Sequence, residues 1–234
     1  GYATAQKFLK EGSEVVLLDI VDPNKVSLDL TGMTYFQCDI TNENKVEAVY
    51  DNISQKFGGV DILISNAGFA IQSSLNDLTK KQLDSSFDLN FFAHHYFTKY
   101  GTKIMKIQNM KGSVVFNISK QAVNPGPNFG AYGLPKATLM FLMKQYVVES
   151  SKYGIRFNGI NADRIRSGLL NPDMIAKRAK SRGLTIEQYM AGNLLKEEVK
   201  ASDVADAFYH LSISYRTTAS VITVDGGNIE SSLR

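Results

Sequence analysis

At 234 residues, with 44% hydrophobic and 21% charged side chains, the chain is long enough for one sizeable core. It has no apolar run near the ~20 residues that a helical membrane span needs. Lysine plus arginine (26) against aspartate plus glutamate (23) leaves +3, spread too evenly for a nucleic-acid or membrane footprint, so a small-molecule partner is expected. The one cysteine, Cys38, excludes an internal disulfide and fits a reducing, cytoplasmic compartment.

In chain order, short β-branched runs alternate with longer amphipathic stretches, the pattern of a parallel sheet flanked by helices. Strands are expected at Glu14 to Asp19, Thr34 to Cys38, Val60 to Ser65, Ser113 to Ile118, Ile155 to Ile160 and Val221 to Val224. Helices are expected near 2–11, 43–57, 79–108, 129–152 and 202–214, with Gly12, Gly58-Gly59, Gly112 and Gly154 close to their ends. The fold class is therefore α/β, a doubly wound, Rossmann-like parallel sheet in three layers. No repeat or linker composition divides it, so residues 1–234 read as a single domain.

Two features depart from that regular order. Residues Ser167 to Glu198 insert two further helical stretches where such folds bind ligands, and read equally as a substrate lid or as a plain pair of surface helices. Gly1-Tyr2-Ala3-Thr4-Ala5 reads as a helix already under way, so the first strand of the sheet is expected to be missing. Its two inner neighbours would then hold unpaired backbone groups, and these residues alone are expected to be poorly stable.

The strongest chemical signal is Tyr132 with Lys136, four apart on a helical stretch and so on one face. A nearby ammonium favours tyrosinate and would lower the phenol toward the working pH, making a general base. Upstream, Ser119 follows the apolar run Val114-Val115-Phe116-Asn117-Ile118, and the turn-rich Asn124-Pro125-Gly126-Pro127-Asn128 lets the chain return it beside Tyr132. Asp19 closes another strand, where a carboxylate would accept from the adenosine ribose and repel a 2′-phosphate, favouring NAD over NADP; a turn-forming aspartate is the plainer reading. His94, His95 and His210 lack metal-ligand spacing, so structural roles and no metal are expected.

These residues resemble the classical short-chain dehydrogenase/reductase family over essentially the whole chain. Ser119, thirteen residues before Tyr132, matches its catalytic serine; Tyr132 and Lys136 match its Tyr-x-x-x-Lys, and Asn90 in Asp88-Leu89-Asn90 its catalytic asparagine. Ser65-Asn66-Ala67-Gly68 resembles the Asn-Asn-Ala-Gly motif that lines the cofactor, and Cys38-Asp39-Ile40-Thr41 the adenine-side segment. Gly1 resembles the last glycine of the phosphate loop. The resemblance implies that Tyr132 exchanges the proton and Ser119 holds the substrate oxygen. It also implies that Lys136 binds the nicotinamide ribose, that Asn90 supports a water link, and that the protein is a homo-oligomer, a dimer or tetramer.

Where the family has Asn-Pro-Gly, this chain has Asn161-Ala162-Asp163 followed by Arg164-Ile165-Arg166-Ser167, placing Ile165 toward the nicotinamide carboxamide. Arg164 and Arg166 are expected either to bind an anionic substrate group or to pair with Asp163 or cofactor phosphates. The runs Asn161 to Leu170, Tyr189-Met190-Ala191-Gly192-Asn193-Leu194-Leu195 and Asp225-Gly226-Gly227-Asn228-Ile229 resemble the dehydrogenase half of bifunctional rhamnulose-1-phosphate aldolase/short-chain dehydrogenase proteins. That resemblance implies carbohydrate metabolism, lactaldehyde or a related sugar-derived substrate, and an aldolase domain upstream. The rival expectations are a sugar or polyol dehydrogenase working in the opposite direction, and a non-catalytic nucleotide-binding or assembly protein on the same fold.

Overall fold

The computed structural model describes residues 1–228, so Ile229 of the last motif lies outside the described residues. Helix α1 (Tyr2–Lys10) leads into strand β1 (Val15–Asp19), followed by β2 (Met33–Gln37), α2 (Glu43–Phe57) and β3 (Ile62–Ser65). Then come α3 (Lys80–Phe87), a π-helical turn (Asp88–Phe92), α4 (Ala93–Gln108) and β4 (Ser113–Asn117). Helix α5 (Gly130–Ser150), β5 (Arg156–Ala162), α6 (Pro172–Lys180), α7 (Ile186–Met190), α8 (Ala201–Ile213) and β6 (Val221–Val224) complete the order.

All ladders are parallel, as helical crossovers require. β1 pairs with β2, and β3-β4-β5-β6 form a second sheet in sequence order. β1 and β3, the inner strands of the expected order, thus each pair on one side only. Packing across the break is by side chains: Val16, Leu18 and Phe36 of the first sheet join Leu63, Val114 and Phe116 of the second in one core with α2, α4 and α5. On the other face Phe8 of α1 and Val204, Phe208 and Leu211 of α8 cover Val115 and Ile160. β4 is buried from Ser113 through Phe116, which is why it reads as a continuous apolar run without alternation.

The helix limits follow from local chemistry. The Asn42 side chain accepts from the Lys45 amide to start α2, and Gly58 ends it at φ +82°, a left-handed turn that a side chain would strain. Thr79 and Gln82 form a reciprocal capping box at the start of α3. The stretch 79–108, expected as one helix, is broken by the π turn at Asp88–Phe92, and the break holds Asn90.

Candidate active site

Helix α5 carries Tyr132 and Lys136, with a proline between them at 135. Proline has no N–H, so the carbonyl four residues back, that of Ala131, has no helical donor. The Ser86 hydroxyl of α3 supplies one at 2.6 Å, and Ser86 Oγ in turn accepts from Asn90 Nδ2 at 3.0 Å. Asn90 also donates to the Phe69 carbonyl at 3.0 Å and accepts from the Phe69 amide at 3.3 Å. The catalytic helix and the π turn are therefore tied through one buried serine. Nothing in the spacing of Tyr132 and Lys136 announced Ser86; the signal that could have found it was a proline within a helical pattern.

Beside this junction the Lys136 ammonium is fully buried and donates to the Asn117 carbonyl at 2.8 Å. Burial pushes its pKa down to about 7. Nζ stands 5.8 Å from the centre of the Tyr132 ring. Burial raises the Tyr132 phenol, while the neighbouring Ser119 hydroxyl works in the opposite direction. The sequence led us to expect a phenol acidified by the ammonium; desolvation instead opposes charge on both groups. The three residues nevertheless meet on one wall of the same cleft.

The cleft encloses about 2940 Å³ and runs from Gly1, Asp19, Asp39 and Ile40 past Asn66, Ala67 and Gly68 to Ser119, Tyr132, Lys136 and Ile165. Asn117 Nδ2 donates to Asn66 Oδ1 at 2.9 Å, fixing the turn after β3 to the end of β4. A Cβ on Gly68 would come within 2.9 Å of Asn90 Oδ1 and 3.6 Å of Lys136 Nζ, so only glycine lets this turn pass so close to them. The exposed Asp19 accepts from the Val21 amide at 3.1 Å, so its turn-forming role is realised while it lines the cleft. Asp39 is held below the usual carboxylate range, first by the Thr41 hydroxyl, which donates at 2.6 Å.

Both arginines after β5 are engaged by the protein. Arg164, at a left-handed φ of +52°, donates to the carbonyls of Tyr189 at 2.8 Å and Gly192 at 3.1 Å, and its Nε lies 3.4 Å from Asp163. It clamps the end of α7, a role that sequence spacing did not suggest. Arg166 makes a two-pronged pair with Glu198 at 2.5 and 3.1 Å. Of the histidines, His94 is buried with Nδ1 2.6 Å from the Ser65 hydroxyl, and burial followed by the Lys136 charge pushes its pKa well down. His95 Nδ1 lies 3.1 Å from the Tyr146 hydroxyl, and the Ser214 hydroxyl donates to the His210 carbonyl at 2.7 Å.

A family profile described as Enoyl-(Acyl carrier protein) reductase matches residues 1–228. The chain belongs to the short-chain dehydrogenase/reductase family. Short-chain dehydrogenase reductase 3a of Arabidopsis thaliana is 30% identical over 236 residues, 97% of this chain and 90% of that protein. The Uncharacterized oxidoreductase YuxG of Bacillus subtilis (strain 168) is 28% identical over 243 residues, covering 97% of this chain and 35% of that protein, so the chain spans about a third of it. The ligand-free aldohexose dehydrogenase of Thermoplasma acidophilum superposes with a TM-score of 0.84 at 25% identity, over 97% of this chain and 88% of that one.

As a family member the protein is an oxidoreductase that uses a nicotinamide dinucleotide. Its own residues fit such a group. Lys136 spends one of three donors on Asn117, leaving two for ribose hydroxyls in a cleft that it lines. The Gly68 turn admits close backbone approach, and Asp19 offers an acceptor where a ribose diol would lie. No helix among the described residues is long and apolar enough to cross a membrane.

Proposed function

We propose that this chain is an NAD-dependent dehydrogenase that moves a hydride between nicotinamide and a small hydroxyl or carbonyl compound, as a single Rossmann domain with residues 167–198 as its substrate-side insertion. The observation that carries the reading is that Ser119, Tyr132 and Lys136 line the same cleft, with Lys136 held by the Asn117 carbonyl and the start of their helix tied through Ser86 to the buried Asn90. The bound dinucleotide supplies the hydride acceptor or donor. Ser119 holds the substrate oxygen, and Tyr132 takes its proton in oxidation or returns it in reduction. Lys136 binds ribose, and Asn90 supports the water link through which the proton leaves. Asp19 favours NAD over NADP by repelling a 2′-phosphate.

For the substrate, the runs at 161–170 and 189–195 favour lactaldehyde or a related sugar-derived compound, in carbohydrate metabolism, with an aldolase domain as the partner to seek upstream. The aldohexose dehydrogenase relative supports a sugar-derived compound independently. The test is NADH formation with short hydroxy compounds, polyols and aldehydes. Tyr132→Phe should lower turnover by at least about 100-fold and leave the Kd for NAD within about twofold. Undiminished turnover refutes the reading. Asp19→Ala should raise kcat/KM with NADP relative to NAD, and an unchanged ratio refutes the cofactor choice.

A further inference from the structure

The substrate end of the cleft holds more positive charge than the protein neutralises. Its wall includes Lys120, Arg164, Arg166, Lys177, Arg178 and Arg182, against the acids Asp77, Asp88 and Asp163. Three of the cations are answered: Lys120 and Arg164 each lie 3.4 Å from Asp163, and Arg166 pairs with Glu198. Asp77 in turn accepts from the Ser74 hydroxyl at 2.6 Å. Lys177, Arg178 and Arg182, on α6 and the turn after it, have no carboxylate within ion-pair distance among the described residues.

The arginines of that trio are nonetheless placed. Arg178 Cζ lies 5.0 Å from the centre of the Phe129 ring, and Arg182 Cζ lies 5.4 Å from that of Tyr189, which Arg164 also approaches at 5.0 Å. Arg182 Nη1 donates to the Arg178 carbonyl at 3.1 Å, which links the two. An aromatic face orients a guanidinium without using its N–H edge, which leaves the Arg178 fork and the Nε–Nη2 edge of Arg182 for a two-pronged bond to an oxyanion. The Phe129 carbonyl accepts from the Tyr132 amide at 3.0 Å, so the ring that Arg178 faces belongs to the residue one turn before Tyr132, and both Arg178 and Tyr132 line the cleft.

Building on the dehydrogenase reading above, we infer that the substrate is an anionic sugar-derived compound, a carboxylate or a phosphate and not the neutral lactaldehyde itself, with the anion seated by Arg178, Arg182 and Lys177 while Ser119 and Tyr132 hold its hydroxyl or carbonyl. This transfers the anion-binding role from Arg164 and Arg166, whose nitrogens are occupied, to the helix that follows them. It also gives the insertion a function as the element that selects substrate by charge.

The test pairs hydroxy compounds that differ only in the anion, a hydroxy acid and a hydroxyalkyl phosphate each against its neutral alcohol. The anionic members should have at least about tenfold higher kcat/KM, an advantage that shrinks with added salt. The two arms separate carboxylate from phosphate. In R178Q and R182Q the advantage should vanish through KM, with kcat and the KM for NAD unchanged, while K103Q, at an exposed lysine outside the cleft, should behave as wild type. Equal use of neutral and anionic partners, or equal loss in K103Q, overturns the anion seat and leaves the dehydrogenase reading standing. A raised KM for NAD in R178Q assigns the cations to cofactor phosphates and overturns it too. If no compound is turned over, the dehydrogenase reading fails separately. The seat is then read by whether inorganic phosphate raises the melting temperature of wild type and not of R178Q; equal shifts overturn it.

Discussion

Lys136 is a buried ammonium whose pKa falls to about 7, against an ordinary lysine value near 10.4. Between those limits the unfolded chain keeps a proton that the folded chain has released, so stability rises with pH across that window, by up to ~1.4 kcal/mol per unit. Below about pH 7 both forms are protonated and the full desolvation cost is present. Lys136→Met removes that cost, so its melting temperature should exceed wild type most near pH 6, and the difference should shrink toward pH 10 even though turnover is lost. A difference independent of pH would contradict the assignment. Ser86 permits a second test at this scale. Ser86→Ala strips a donor from the Ala131 carbonyl and a partner from Asn90, and should cost ~1–3 kcal/mol with a fall in kcat larger than any rise in KM. Adding Pro135→Ala restores a helical N–H to Ala131. Stability should recover while kcat does not, because Asn90 still lacks its partner; recovery of both would make Ser86 a purely structural residue.

The insertion is held by a small core of its own: Leu170, Ile175, Ala179, Tyr189 and Met190 are buried together with Met174 packed against them. Asn171 and Pro172 begin α6, and a capping box of Thr185 with Gln188 begins α7, so both helices are locally specified. Ile175→Ala empties part of that core at a local cost of ~2–4 kcal/mol. Amide exchange across 167–198 should quicken and substrate KM should rise, with the main melting transition nearly unmoved; a matching drop in the main transition would place the insertion inside the principal core. How far the elements were legible follows from the same physics. Strands and helix order were readable because burial leaves a period in the sequence, Tyr132 and Lys136 because a spacing of four puts them on one helix face, and Ser119 because it follows a strand and a turn-rich segment; Asn90 was legible only through the family resemblance. The π turn at Asp88–Phe92 left no such period, since its side chains continue the helical pattern. Ser86, Asn117 and Arg178 act through contacts between residues far apart in the chain, which no local spacing records.

Across the whole molecule, the core lies on both faces of the sheets, yet α5 keeps a second apolar stripe outside it. Ala131, Leu139 and Met143 point inward, while Leu134, Phe141 and Val148, spaced by seven, are 48%, 69% and 80% exposed. Phe92, at the end of the π turn before α4, and Ile107 of α4, the helix beside α5, add 40% and 77%. Scattered apolar residues on a surface need no explanation, but a stripe at heptad spacing along a helix of 21 residues presents one continuous face. That face suits a second copy of the chain related by a two-fold axis, in which each stripe packs on its own image. Phe141→Glu with Val148→Glu places two carboxylates per copy there and should turn an oligomer into a monomer in light scattering. Because association stabilises the folded form by mass action, the wild-type melting temperature should climb with protein concentration, and that dependence should disappear in the double variant. Unchanged mass in the double variant would exclude this face as the contact and leave it to other apolar surface such as Leu194, Leu195 and Tyr215.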